Sequence, residues 1–250
     1  MTSWKFHAGF WRAAALSFAC APLLCPVSGA AAEHDAAIPK VAVIYTVATP
    51  ELKEGVERAI REEFGGKVDI LRYEDAAVFG ETAKAGKVGR ESAARSGAGA
   101  VLSVCSTVAD LAYSMRGVGE LAGVPIVGIN DEMCREAVRS GKRILVAATF
   151  PSAVGPTRRS ILRVGAELGR EVEVSEVVAG GGFGSDAGAF EKLLAEKLRG
   201  AAKSADIIVF AQASMEPCAG FVEGALGKRV LANPKFGAKA LKSALPESGE

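Results

Sequence analysis

The chain has 250 residues, of which 49% are hydrophobic and 24% charged, and its formal net charge is +1. That apolar content supports a sizeable core, and a near-neutral chain carries no electrostatic footprint for nucleic acid. Five cysteines in a chain this long do not amount to a disulfide scaffold, because a domain of this size builds its core unaided.

The first 32 residues read as an export signal. Lys5, His7 and Arg12 form a weakly basic start, an apolar run extends from Ala13 to Val27, and the small residues Ser28 to Ala32 precede the polar Glu33. Basic, then apolar, then small is the order of a cleaved secretory signal. The apolar run is broken by Pro22 and Pro26 and is short for a membrane span. Neither Cys20 nor Cys25 has a Leu three residues upstream, as a lipoprotein signal would. Cleavage after Ala32 removes Lys5, Arg12 and no acid, taking the net charge from +1 to −1. Cys105, Cys134 and Cys218 remain, an odd set that leaves a thiol free or paired between chains. A periplasmic location is expected, with no membrane contact beyond the signal.

The rest of the chain alternates strand-like and helix-like segments. Lys40 to Tyr45 is a short β-branched run and reads as a buried strand; Pro50 to Phe64 reads as a helix and Val68 to Arg72 as a strand. A helix over Glu81 to Ser96 comes next, then a strand from Ala100 to Val104, a helix from Val108 to Arg116, a strand from Pro125 to Ile129 and a helix from Asp131 to Ser140. A second series starts at the strand Arg143 to Ala148, with a helix from Pro156 to Gly169, a strand from Glu171 to Val178 and a helix from Ala189 to Lys203. It continues with a strand from Asp206 to Ala211, a helix from Pro217 to Leu226, a short strand at Val230 and Leu231, and a closing helix from Phe236 to Leu245. Strands alternating with helices imply βαβ units and parallel sheets. The expectation is an α/β protein of two similar lobes, 38–141 with 228–250 and 142–227, with its ligand beyond the carboxyl ends of the strands.

Three turns at such ends carry candidate chemistry. Val101 to Asp110 reads V-L-S-V-C-S-T-V-A-D, placing Cys105 directly after a strand and before a helix. A helix N-terminus favours anions, and the thiolate is the reactive form of Cys. Ser106 and Thr107 add hydroxyl donors for a carboxylate; a buried Cys followed by a Ser/Thr cap is the plainer reading of the same letters. In the second lobe Thr149 and Ser152 follow one strand, and Gln212, Ala213 and Ser214 follow another, where hydroxyls, an amide and backbone N–H groups suit the same anion. Ordinary capping and turn formation explain those residues as well.

Other signals are weaker. Gly182 to Ala187 fits G-x-G-x-x-A, but the acid that should end the next strand is missing, since Asp206 begins it; a glycine-rich loop is the reading. His7 and His34 are the only histidines, which excludes His-based metal sites and Ser-His-Asp triads. Neither a metal nor a cofactor is expected. Asp131 reads as the N-cap of its helix.

Taken in order, K-V-A-V-I-Y-T-V, V-L-S-V-C-S-T, V-P-I-V-G-I-N-D-E-M, L-V-A-A-T-F-P-S and I-V-F-A-Q-A-S-M resemble the aspartate/glutamate/hydantoin racemase superfamily over nearly the whole chain after residue 32. The resemblance implies two Rossmann-like lobes related by a pseudo-twofold axis, homodimers, and an active site in the cleft between the lobes. It also implies cofactor-free racemisation in which one Cys removes the α-proton of a small carboxylate or amino acid and a second Cys returns one to the other face. The Cys-Asn-Thr turn of that family matches Cys105-Ser106-Thr107, and its first-strand turn matches Tyr45-Thr46, which adds Thr46 to the substrate-binding set. The second Cys is replaced by Gln212, an amide without acid–base chemistry near neutral pH. The expectation is therefore an isomerase acting at the α-carbon through Cys105. A single-thiol decarboxylase or lyase and an exported carboxylate-binding protein without turnover stand as alternatives.

Overall fold

The computed structural model describes residues 38–46, 48–74, 95–181 and 186–245. The signal at 1–32, the body of the helix expected from Glu81, and Gly182 to Ser185 lie outside the described residues.

The first series forms β1 (Lys40–Tyr45), α1 (Pro50–Glu63), β2 (Asp69–Glu74), β3 (Ala100–Ser103), α2 (Ala109–Ser114), α3 (Arg116–Leu121), β4 (Ile126–Gly128) and α4 (Asp131–Ser140). The second forms β5 (Arg143–Ala148), α5 (Pro151–Glu167), β6 (Glu173–Val178), α6 (Ala187–Ala202), β7 (Ile207–Phe210), α7 (Ala219–Leu226), β8 (Val230–Ala232) and α8 (Asn233–Ala244). All the ladders are parallel, in the orders β2-β1-β3-β4 and β6-β5-β7-β8. The second sheet repeats the first, as two Rossmann-like lobes require.

Register makes that repeat quantitative. Ile44 pairs with Ser103, and Ala147 pairs with Phe210; one residue beyond, the Val104 N–H donates to the Ile44 carbonyl and the Ala211 N–H to the Ala147 carbonyl, each at 2.9 Å. Thr46 is thus equivalent to Thr149, and Cys105 to Gln212.

Each sheet is apolar on both faces because helices cover both. In the first, Val41, Val43 and Tyr45 meet Val56 and Ile60 of α1, while Ala42 and Ile44 meet Met115 and Ile126 on the other face. In the second, Ile144, Val146 and Val209 meet α4 and α5, and Leu145, Ile208 and Phe210 meet α6 and α7. Each large side chain buried this way contributes about 1.5–3 kcal/mol. The two lobes exchange their closing helices. Met133, Cys134, Ala137 and Val138 of α4 lie on the second sheet, and Ala238 and Leu241 of α8 lie on the first.

Three boundaries differ from the sequence reading. Val230–Ala232 pairs with β7, so this strand belongs to the second sheet and only α8 returns to the first lobe; the division that gave 228–250 to the first lobe is corrected there. Three residues carry too little pattern to name a partner strand. α5 starts at Pro151, not Pro156. Pro151 occupies the first helical position, where its missing N–H costs nothing, and Pro156 leaves only the carbonyl of Ser152, an exposed residue, without its helical donor. The single helix expected over Val108 to Arg116 is two six-residue helices meeting at Met115.

Candidate active site

The carboxyl ends of β1, β3, β5 and β7 converge on one cavity of about 400 Å³. The first lobe lines it with Thr46, Cys105, Ser106 and Thr107; the second with Ser152, Gln212, Ala213 and Ser214. Of the residues singled out from sequence only Thr149 is not in the wall; it stands behind Gln212 and holds it. Leu52, Val104, Phe150 and Ala153 complete the lining and were not anticipated. Phe150 had a legible signal, a large aromatic in a strand-to-helix turn, and it is 46% exposed. Tyr45 faces away, into the core under α1, and its buried hydroxyl has no partner among the described residues.

Cys105 sits two residues past β3 with extended backbone (φ −109°, ψ 109°), and is 9% exposed. Ser106–Val108 then form a single 3-10 turn ahead of α2. Because α2 is only six residues long, the helix dipole expected behind the thiol is small, and that part of the sequence argument falls away. What remains is local. The first two N–H groups of such a turn have no partner within it, so Ser106 and Thr107 present donors as well as hydroxyls. The second lobe repeats this device, with Gln212 (φ −123°, ψ 136°) ahead of the 3-10 turn Ala213–Cys218 and the first N–H groups on Ala213 and Ser214. Two turns from two lobes therefore aim donors at one cavity, a geometry suited to an anion.

Gln212 is held firmly. Its Oε1 accepts from the Thr149 N–H at 2.7 Å, the Thr149 Oγ1 hydroxyl at 2.9 Å and the Phe150 N–H at 3.3 Å. The cavity's only thiol among the described residues is Cys105. Cys134 is buried under the second sheet on the α4 side, and Cys218 on the α6 side, so the sheet separates them and all three cysteines among the described residues are free. Burial pushes the Cys134 thiol up; burial, with Glu191 and Glu216 nearby, pushes that of Cys218 up to about 11.

A charged network ties the helices that follow the Cys105 turn to the helix carrying Ser152. Asp131 does not cap α4 with its side chain. Its Oδ2 accepts from the Gly128 N–H at 2.8 Å and from Arg116 Nη2 at 2.6 Å, and Arg163 Nη2 of α5 lies 3.6 Å from its Oδ1. Arg163 also stacks on Tyr113, 3.8 Å from the ring centroid, with Arg116 at 5.0 Å. Arg159 of α5 donates to Asp110 of α2 at 2.6 and 2.9 Å. Beneath it runs a buried chain in which Asn233 Nδ2 donates to Asn130 Oδ1 at 2.6 Å and Asn130 Nδ2 to Thr157 Oγ1 at 3.3 Å. These bonds join α8, the β4–α4 turn and α5 into one polar scaffold.

No protein-family model matches the chain, and no curated protein sequence does. Solved structures do. The chain is similar to allantoin racemase from Klebsiella pneumoniae, with a TM-score of 0.63 and 17% identity over 84% of this chain and 95% of that one. It is similar to glutamate racemase from Francisella tularensis in complex with D-glutamate, with a TM-score of 0.59 and 15% identity over 85% of both chains. Arylmalonate decarboxylase follows at a TM-score of 0.57 and 14% identity, over 85% of this chain and 95% of that one. At such identities the likeness is one of fold. This chain therefore shares the two-lobed α/β fold of these two racemases and this decarboxylase.

Proposed function

We propose that the chain is an enzyme of the racemase type that moves a proton at the α-carbon of a small carboxylate or amino acid, using Cys105 and no cofactor. The observation that carries this reading is the meeting of Cys105 with the donor turns of both lobes at one cavity. The fold supports it, since its bearers include racemases and a decarboxylase, one of them solved with D-glutamate bound. In this reading the substrate carboxylate lies against the N–H groups and hydroxyls of Ser106, Thr107, Ala213 and Ser214. Its substituent lies on Leu52 and Phe150, and its α-carbon faces the Cys105 sulfur. The donors take up the charge that develops on the carboxylate as the α-proton leaves, which is where such donors act most strongly. Removing a positioned acid–base group costs about 10²–10⁴-fold.

The test is α-deuterium exchange in D2O, followed by ¹H NMR, across enantiopure small carboxylates and amino acids. Exchange in the wild type that falls by that factor in Cys105→Ala is the expected result. Exchange that survives Cys105→Ala overturns the role given to Cys105, and carboxylate binding with no exchange in the wild type favours a binding protein instead. We also propose export to the periplasm, on the residue order of the first 32 positions. N-terminal sequencing of the secreted product should begin near Glu33, and a cytosolic product that keeps Met1 would contradict it.

A further inference from the structure

The repeat of one lobe in the other puts Cys105 and Gln212 at equivalent positions, each two residues past its central strand, each ahead of a 3-10 turn, and each in the cavity wall. Their chemistry differs. Two of the three donors on the Gln212 side-chain oxygen are backbone N–H groups, which can only donate, so the atom that meets them is oxygen and the amide cannot be flipped. Three donors saturate its two lone pairs. What Gln212 has left is its NH2, which has no partner among the described residues and belongs to a residue in the cavity wall. One of the two equivalent positions carries a proton, and the other only donates hydrogen bonds.

We propose that Gln212 is the fixed anion-stabilising donor of a one-sided active site, so that proton exchange at the α-carbon proceeds with retention of configuration. This rests on the Cys105 reading above and specifies its stereochemistry. The Cys105 thiolate takes the α-proton: the C–H bond breaks, an S–H bond forms, and the electron pair moves into the carboxylate to give an enediolate. The added charge falls on the oxygens that the Gln212 NH2 and the turn N–H groups meet. The S–H proton exchanges with solvent and returns to the face it left, restoring the thiolate. The position facing it holds an amide, which has no proton to give to the other face.

The experiment pairs two readouts. The first incubates both enantiomers of glutamate, aspartate and 2-phenylpropionate in D2O and measures deuterium by NMR and configuration by chiral chromatography. Wild type should label one enantiomer of an acid without inverting it, and Gln212→Cys should invert as it labels. The second measures protection of Cys105 from iodoacetamide by the same acids. Gln212→Glu keeps an oxygen for the three donors but swaps the NH2 for a negative charge, and should weaken protection by at least about tenfold, as loss of a hydrogen bond to a charged group does. Gln212→Met, which is neutral, should weaken it as well and guards against a folding defect in Gln212→Glu. Inversion by the wild type as fast as exchange overturns the proposal and leaves the Cys105 reading standing. Exchange that persists in Cys105→Ala overturns the Cys105 reading instead. Where no acid exchanges, the second readout decides: protection unchanged in both Gln212 variants, or no protection by any acid, overturns the proposal.

Discussion

Asp131→Ala tests whether the polar scaffold holds the lobes together. The substitution leaves the buried Gly128 N–H without its acceptor, which costs about 1–3 kcal/mol. It also removes the charge-assisted bond from Arg116, for which about 1.5–3 kcal/mol is the usual scale. The second figure must be discounted, because the Arg116 side chain is 28% exposed and Arg163 keeps its bond to Glu167 at 2.7 Å. The expected loss is about 2–4 kcal/mol for Asp131→Ala, and about 1–2 kcal/mol for Asp131→Asn, which keeps an oxygen for Gly128 but no charge. Urea unfolding of both variants gives these values from the midpoints at constant slope. A double-mutant cycle with Arg116→Met should return a coupling of about 1–2 kcal/mol. A loss below about 1 kcal/mol for Asp131→Ala, or a coupling near zero, would show that water already serves these groups and that the scaffold does not hold the helices together.

Asp206 should act in acid. The Arg143 guanidinium first, then the backbone N–H groups of Arg143 and Lys142, hold its carboxyl well below the usual carboxylate range. A depressed folded pKa gives stability that is present above the unfolded value of about 3.9 and is lost as pH falls towards the folded one. The Tm gap between wild type and Asp206→Asn should therefore hold steady above about pH 5 and close below about pH 4; a gap that widens in acid refutes the assignment. Alkylation separates the three thiols of the described residues: of these, native protein at pH 8 should take iodoacetamide at Cys105 alone, and unfolded, unreduced protein at Cys105, Cys134 and Cys218. Peptide mapping that finds a Cys134–Cys218 disulfide would contradict their placement on opposite faces of the second sheet.

How much of this could be read from the letters depends on range. β1, β3, β5 and β7 were legible because each is a continuous apolar run, and the cavity followed because a ligand lies past such strand ends. Cys105, Ser106, Thr107, Gln212, Ala213 and Ser214 are brought together for that reason alone. What was illegible is set by contacts distant in sequence. Asn233 meets Asn130 across 103 positions and Arg159 meets Asp110 across 49, and no local pattern announces either. The exchange of α4 and α8 between lobes escaped for the same reason: amphipathicity says that a helix is covered, not by which sheet. The cap expected of Asp131 failed because the helix begins one residue earlier relative to it: Asn130 holds the cap position, and the Asp131 carboxylate, inside the first turn, accepts from the buried Gly128 N–H and from Arg116.

Gln212 shows how a repeated fold can hold two chemistries. The register that makes it equivalent to Cys105 is a backbone property, enforced by parallel ladders in which a one-residue slip would move every core side chain to the opposite face of its sheet, against the wrong helices. The side chain at that position is under no such constraint. Thr149 is the hinge of the difference. It is equivalent to Thr46, yet its N–H and hydroxyl both turn to the Gln212 oxygen. Replacing Gln212 by Cys removes that acceptor and returns the Thr149 donors to the cavity beside a second thiol. Thr149→Val at wild-type Gln212 would strip one of the three donors and loosen the amide. The two substitutions thus separate the two parts of the argument, the chemistry of the group and the rigidity with which it is held.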